Sequence, residues 1–499
     1  MYPVATCQKG RRVEPRQVCE NAWTMTHAWR AFAVVLAVSG AAFGETRHVR
    51  TSADFMALPA LAAGDHVIVH DGKYADVDKE ITGEGTAAQP ILIQAETSGG
   101  VAFSGQTHVG ILGSYVTVAG FRFDGDTAEG GPKRKGGTLR LGKGSRHCRV
   151  TNCMFRNFNK SPIADAQWLL IEGFDHVIDY NSLEGKTSNG PTVVFTMSEG
   201  AATQAAPRGH VFRFNYLGPR TDVGDNGYEG IRVGLSGLQE YNAASTFEYN
   251  YFYRTIYFPE GAGGEQEVVS NKSSGNIYRY NTFREMKGEL SLRHGDDCVV
   301  LGNYFFQNDT PRSGGVRVIG ERHVVRNNYF ERVAGTALLV YSGDRDWPES
   351  DVSRGHEAGD DAKAVGNTFV DCKTALVVAG ENTKRRSPQR VEVRDNLVQS
   401  RSVEAVAIRV DADPRQVTVS GNQVFGPRVV PGEPAGVSHA EAALLVTGAE
   451  GDLPRRAKGV TTGAADPDPA ATPRLPVGRR DVGPSYYEGP AAAANVTKP

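Results

Sequence analysis

Along most of this chain a large apolar side chain recurs two positions after an asparagine. The instances are Asn181-Ser-Leu183, Asn215-Tyr-Leu217, Asn250-Tyr-Phe252, Asn281-Thr-Phe283, Asn303-Tyr-Phe305, Asn328-Tyr-Phe330 and Asn367-Thr-Phe369. Asn152 to Phe155 is a looser copy, and Asn396-Leu-Val398 and Asn422-Gln-Val424 extend the series. Between the copies lie short runs that alternate apolar with polar, such as Val211-Phe-Arg-Phe214, Pro90-Ile-Leu-Ile93 and Tyr115-Val-Thr-Val118, which is the period of a strand. Self-similarity at an irregular spacing of 22 to 39 residues indicates a solenoid. Runs with helical periodicity are nearly absent, which argues against helical and leucine-rich repeats, and the copies lack the steady period of a propeller. The pattern predicts an all-β chain folded as a right-handed parallel β-helix. In it each asparagine stacks on the asparagine of the next turn, and the Phe or Leu two residues on points into a narrow core.

The same patterning divides the chain into three. Residues 1–44 read as a leader. From Met25, a basic stretch ending at Arg30 precedes the apolar run Ala31–Val38 and the small residues up to Gly44, the layout of an export signal. The apolar run is too short for a permanent membrane span, so the mature protein is expected to be secreted or periplasmic. Residues 45–450 form the β-helix, opened by a cap over Ala60–Tyr74 that shields the first core layer. Residues 451–499, rich in Pro, Ala, Gly and Thr, predict a flexible tail.

Composition narrows the function only slightly. Lys and Arg number 55 against 57 Asp and Glu, so no excess of positive charge favours nucleic acid. A polyanionic substrate would have to be met by a local basic strip. Beyond the leader the cysteines are Cys148, Cys153, Cys298 and Cys372. They allow three pairings and include no CxxC pair of a zinc ribbon; buried thiols in a solenoid core are as consistent with them as disulfides.

Three segments between Asn226 and His294 carry candidate chemistry: Asn226-Gly-Tyr-Glu-Gly-Ile-Arg-Val-Gly, Glu265-Gln-Glu267-Val-Val-Ser-Asn-Lys272, and Leu292-Arg293-His294-Gly. Glu265 and Glu267 are two apart, so on a strand both carboxylates leave one face, and such a pair is costly to bury unless a cation joins them. Calcium suits oxygen donors of this kind. Lys272 stands five residues beyond Glu267, an odd offset that a straight strand would turn to the opposite face. A corner at Asn271 and the following serines would have to swing it back. Arg293 follows one turn later, where stacking would set it beside Lys272. Asp296-Asp297 could serve a β-helix glycoside hydrolase, although a turn after Gly295 explains the pair as well.

In order and spacing these segments, with Ser313-Gly-Gly-Val-Arg317-Val-Ile-Gly320 downstream, resemble the active-site segments of polysaccharide lyase family six, the alginate lyases and chondroitinase B. The likeness covers about residues 46–430. It implies a parallel β-helix and β-elimination at a 4-linked uronate. It assigns Asn226, Glu265 and Glu267 to Ca²⁺, Lys272 to the base, Arg293 to the acid, and His294 and Arg317 to substrate contacts. The implied partner is an anionic polysaccharide, alginate before dermatan sulfate; a non-catalytic carbohydrate-binding β-helix is the alternative outside enzymology. Between Asn226 and Glu265 the chain has a longer stretch than chondroitinase B, with Phe258-Pro-Glu-Gly-Ala-Gly-Gly264 before the Glu pair.

Overall fold

The computed structural model describes residues 44–125, 130–133, 136–159, 166–197, 207–220, 226–238, 241–258, 266–344, 355–380, 386–428, 433–446, 453–466 and 475–486. Residues 1–43 of the expected leader therefore lie outside the described residues. Among the described residues the strand pairings are parallel, apart from one antiparallel pair near the C-terminus and an isolated antiparallel bridge between Gly343 and Arg386, and within the β-helix an inner strand pairs with the corresponding strands one turn before and one turn after. One sheet has 14 strands, from Thr46–Val49 to Val417–Ser420. The other two meet at the strand Val101–Ile111, which crosses a corner and pairs on both sides. This is the expected right-handed parallel β-helix, and a single capped helical turn, Ser52–Met56, closes its N-terminal end with Phe55 in the core. Among the described residues no helix is long and apolar enough to cross a membrane.

The asparagine series forms one continuous buried ladder. In each turn from Asn181 to Asn396, the backbone N–H of the asparagine and its side-chain amide both donate to the Oδ1 of the next asparagine, ending on Asn422. The residue before it takes a left-handed conformation at most of these corners, as Tyr180, Phe214, Tyr249, Tyr280, Asn327 and Asp395 do. Inside, Phe252, Phe283, Phe305, Phe330 and Phe369 stack with centroids 4.5 to 5.0 Å apart. The looser copy is shifted by one residue. Cys153, whose N–H donates to Asn181 Oδ1, holds the ladder position, while Asn152 occupies the left-handed corner outside.

A second buried ladder runs along another corner and is not periodic in residue type. Cys148 N–H donates to His176 Nδ1, His176 N–H to His210 Nδ1, His210 N–H to Ser245 Oγ, and Ser245 N–H to Asn276 Oδ1. His, Ser and Asn each supply the one acceptor that this corner requires. All four cysteines named above are free and buried. Burial pushes the Cys148 thiol up to about 11 and the other three to about 12.

Much of the segment expected to be a flexible tail is packed. Residues 453–466 and 475–486 lie along the β-helix: Ala464 N–H donates to Thr368 Oγ1, Gly483 N–H to Phe214 O, and Ser485 N–H to Asn152 Oδ1. Val477 and Val482 cluster with Tyr216 and Tyr251, and the Arg479 guanidinium lies 4.1 Å from the Tyr216 ring centre. A few well-placed apolar residues hold the segment, despite its overall composition.

Candidate active site

The third sheet brings the expected residues together through two interruptions of register. On the strand Glu267–Lys272, Glu267 pairs with Glu289 and Val269 with Leu290, so Val268 is an extra residue. This bulge makes the five-residue offset behave as an even one. Val268 and Val269 both enter the core, and Glu267, Ser270 and Lys272 all face outward. The expected corner is thus not what returns Lys272 to the site; the strand itself does so before Asn271. On the neighbouring strand, Glu289–His294, Asn271 pairs with Leu292 and Lys272 with His294, leaving Arg293 as the extra residue. Lys272 and Arg293 therefore stand on adjacent turns, about 4.8 Å apart along the stack.

Glu267 is the electrostatic hub. Its Oε1 accepts from Arg317 Nη2 at 2.7 Å and lies 3.6 Å from Arg293 Nε, and its Oε2 accepts from Ser270 Oγ at 2.5 Å. Burial opposes its ionisation, but Arg317, the Ser270 hydroxyl, Lys272 and Arg293 outweigh that and hold the carboxyl below its usual range. Arg317 also reaches Glu289, with Nε 3.0 Å from Oε1. Burial raises Glu289, and Glu267 adds to that, against the pull of Arg317.

His294 has no exposed surface. Arg293 Nη1 lies 3.2 Å from its Nε2, and a guanidinium can only donate, so Nε2 accepts and the ring is neutral. Burial, then Arg293, Lys272 and His356, press His294 down to about 3. Arg293 is itself lowered, chiefly by burial.

Three residues that sequence reasoning missed complete the wall. Tyr341 follows the strand Thr336–Val340 and stands in register one place beyond Val340, as Lys272 stands one place beyond Asn271. Its ring lies 6.0 Å from the Arg317 guanidinium and 5.5 Å from the His356 ring. His356 in turn faces His294 at 6.5 Å and lies 3.5 Å from the Asp344 carboxylate. Only the turn-to-turn register of the strands could have flagged Tyr341 beforehand.

Of the other expected positions, Asn226 is exposed at the approach to the strand Ile231–Gly234, one turn before Glu267, and Glu265 lies outside the described residues. Asp296 and Asp297 are both held by Arg322 at 2.9 Å, in the turn after Gly295, which removes them as a hydrolytic pair. No group of three His, Cys, Asp or Glu side chains among the described residues is arranged to hold a metal ion.

The family model for chondroitinase B matches residues 52–431. The chain belongs to the chondroitinase B family, which is polysaccharide lyase family six. Among solved structures, this family member is similar to the family-six alginate lyase AlyGC, at 26% identity and a TM-score of 0.76, over 89% of this chain and 59% of that one. It therefore spans less than two thirds of AlyGC's length. A mannuronic acid specific family-six lyase from human gut microbiota matches at 23% identity and a TM-score of 0.68, over 80% of this chain and 92% of that one. The family-six lyase Pedsa3628 from Pseudopedobacter saltans matches at 21% and 0.67, over 88% and 99%. The last two share the fold of this family member. No curated protein sequence matches it.

Proposed function

We propose that this protein is an exported polysaccharide lyase that cleaves 4-linked uronate polymers by β-elimination, with alginate as substrate. The observation that supports the reading is the buried carboxylate of Glu267, which lies 3.6 Å from Arg293 Nε, 2.7 Å from Arg317 Nη2 and within the field of Lys272. AlyGC is an alginate lyase, and 89% of this chain aligns with it.

In this reading Lys272 removes the C5 proton of the uronate at the cleavage point. The electron pair passes into the C4–C5 bond as the O4 bond breaks. Arg293, or a water molecule it orients, delivers a proton to the departing O4. Arginine holds its proton tightly, so orientation of water is the chemically easier role. Arg293 also places positive charge beside the enolate-like oxygen that develops. His294 acts on substrate through Arg293, which it supports from below, and Arg317 fixes Glu267 while offering its exposed edge to the polymer. The product carries a 4,5 double bond at its new non-reducing end.

The cation belongs to the same reading. Asn226, Glu265 and Glu267 are oxygen donors suited to Ca²⁺, and the Glu229 Oε2, in the same segment as Asn226, is buried with no hydrogen-bond partner among the described residues, which fits a cation nearby. Bound there, calcium would withdraw charge from the substrate carboxylate and acidify the C5 proton.

Incubation of the purified protein with alginate, its block fractions and dermatan sulfate tests the proposal. Unsaturated uronate absorbance should rise on alginate without nucleotide or redox cofactor, and chelation should abolish it. New reducing ends without unsaturation would reject elimination. Dermatan sulfate as the sole substrate would correct the substrate, and binding without turnover would leave a carbohydrate-binding β-helix.

A further inference from the structure

Arg232 stands on the same face of the β-helix as Lys272 and has no part in the reaction just described. Its neighbours Ile231 and Val233 are buried in the core, so Arg232 points to the outer face. It is only partly exposed, and its Nε is buried with no hydrogen-bond partner among the described residues. Nor does any carboxylate of the described residues, Glu229 included, make an ion pair with its guanidinium. A guanidinium taken partly out of water and left without an acceptor is costly, so it calls for an anion from outside the chain.

The other arginines of its row are paired. The strand register sets Arg140, Arg232, Ser270, Ser291, Arg317 and Arg409 in one column along the stack. Arg140 Nε donates to Glu172 Oε2 at 2.7 Å, Arg317 bridges Glu267 and Glu289, and Arg409 Nε lies 3.0 Å from Asp411 Oδ2. Each of these three has a carboxylate of the chain beside it. Arg232 has none among the described residues.

Within the column Arg232 closes one end of a trough. Ser270 and Ser291, on the next two turns, are short and have no exposed surface, and Arg317 follows on the third. The two arginines are therefore about 14 Å apart along the stack. Lys272 pairs with Gly234, so it lies one turn on from Arg232 and two residues further along the strand, about 8 Å away at Cα. A polyuronate carries a carboxylate on every sugar. The one at the cleavage point is met by Arg293 and the cation of the reading above, and the next one towards the N-terminal turns comes over Arg232.

We propose that Arg232 binds the carboxylate of the sugar next to the cleaved one, on the side of the N-terminal turns, with the polymer lying along the trough. A planar guanidinium meets a carboxylate with two parallel N–H donors, which an ammonium cannot do. The inference rests on the lyase reading and deepens it: the favoured substrate is one in which consecutive sugars are both uronates, not one in which uronates alternate with neutral sugars. Arg232 touches no reacting atom, so its contact is the same before and during elimination, and its loss shows in KM and not in kcat.

Steady-state kinetics of Arg232→Gln on alginate, with melting in the absence of substrate, test this. KM should rise at least about tenfold, the usual weight of a hydrogen bond between charged groups, while kcat stays within about threefold. Tm should stay the same or rise, because the variant removes a charge that the chain leaves unpaired. Arg232→Lys should give a smaller rise in KM, and it carries the test should Arg232→Gln not fold. An unchanged KM in an active, folded variant would overturn the proposal and leave the lyase reading intact. A fall in kcat at constant KM would place Arg232 at the reacting sugar, and a fall in Tm alongside the rise in KM would mark it as structural; either overturns the proposal. Wild-type protein that yields no unsaturated product from any uronate polymer would overturn both.

Discussion

Glu267 and Arg317 stand 50 residues apart in sequence and 2.7 Å apart in the fold. Arg317 is also the cation that separates Glu267 from Glu289, which stands beside it on the next turn. Arg317→Ala would leave two adjacent buried carboxylates, and breaking a buried pair in this way costs about 3–5 kcal/mol. The variant should lose stability of that order in urea, more at neutral pH than in acid, where Glu289, whose carboxyl burial already raises, takes up a proton. Arg317→Lys should recover only part, since an ammonium cannot reach both carboxylates with a planar fork. Equal stability of Arg317→Ala and wild type at pH 7 would show that the bridge is solvated.

Lys272 is placed on the outer face by the Val268 bulge and is expected to act through its amine alone. Lys272→Ala should lower kcat on alginate by about 10²–10⁴-fold with little change in Tm. Lys272→Arg should not restore turnover, because arginine keeps its proton. Near wild-type rates in Lys272→Ala would move the base elsewhere.

The second ladder makes stability depend on acid. His176 Nδ1 accepts from Cys148 N–H, and its Nε2 lies 3.0 Å from Ser145 Oγ, whose own proton goes to Gly142 O. The ring is therefore neutral, with its proton on Nε2. Burial carries its pKa from 6.5 down to about 3. A base depressed by folding contributes stability that is present above its unfolded value and is lost as pH falls below it. Unfolding free energy should decline from about pH 6.5 towards pH 3, with a slope of up to about 1.4 kcal/mol per unit for this one ring. His176→Asn, which places at this corner the residue already used at Asn276, should flatten that decline. Urea melts at pH 7, 5 and 4 measure it, and parallel acid limbs in both proteins would exclude His176 as the cause.

Removal of the tail tests whether its contacts matter energetically. A chain ending at residue 450 uncovers Tyr216 and Tyr251 and loses the buried Val477 and Val482. It should unfold at lower urea, by at least about 2 kcal/mol, since burying one aliphatic side chain contributes about 1.5–3 kcal/mol before the ordering of the segment is counted. Arg479→Ala should show a smaller loss of the same sign. An unchanged midpoint in the truncated chain would leave the segment without a stabilising role.

The sequence by itself determined the solenoid, because the ladder asparagines and the stacked phenylalanines repeat as residue types at the length of a turn. That regularity is a one-dimensional signal and needs no knowledge of the third dimension. It also showed the family segments, which carry Lys272, Arg293 and Glu267. Register was decided only in the fold. The extra residues Val268 and Arg293 are ordinary in sequence, yet the first turns Lys272 outward and the second shifts the register so that Lys272 pairs with His294. The His-Ser-Asn ladder escaped notice because its corner selects a hydrogen-bond acceptor and not one residue type. Asn152 fits the motif and misses the ladder, since Cys153 takes the place where the next turn's Oδ1 arrives. Tyr341 and His356 come near Arg317 and His294 only through stacking: parallel turns bring together positions whose separation in sequence depends on the loops between them, and those loops carry no fixed length.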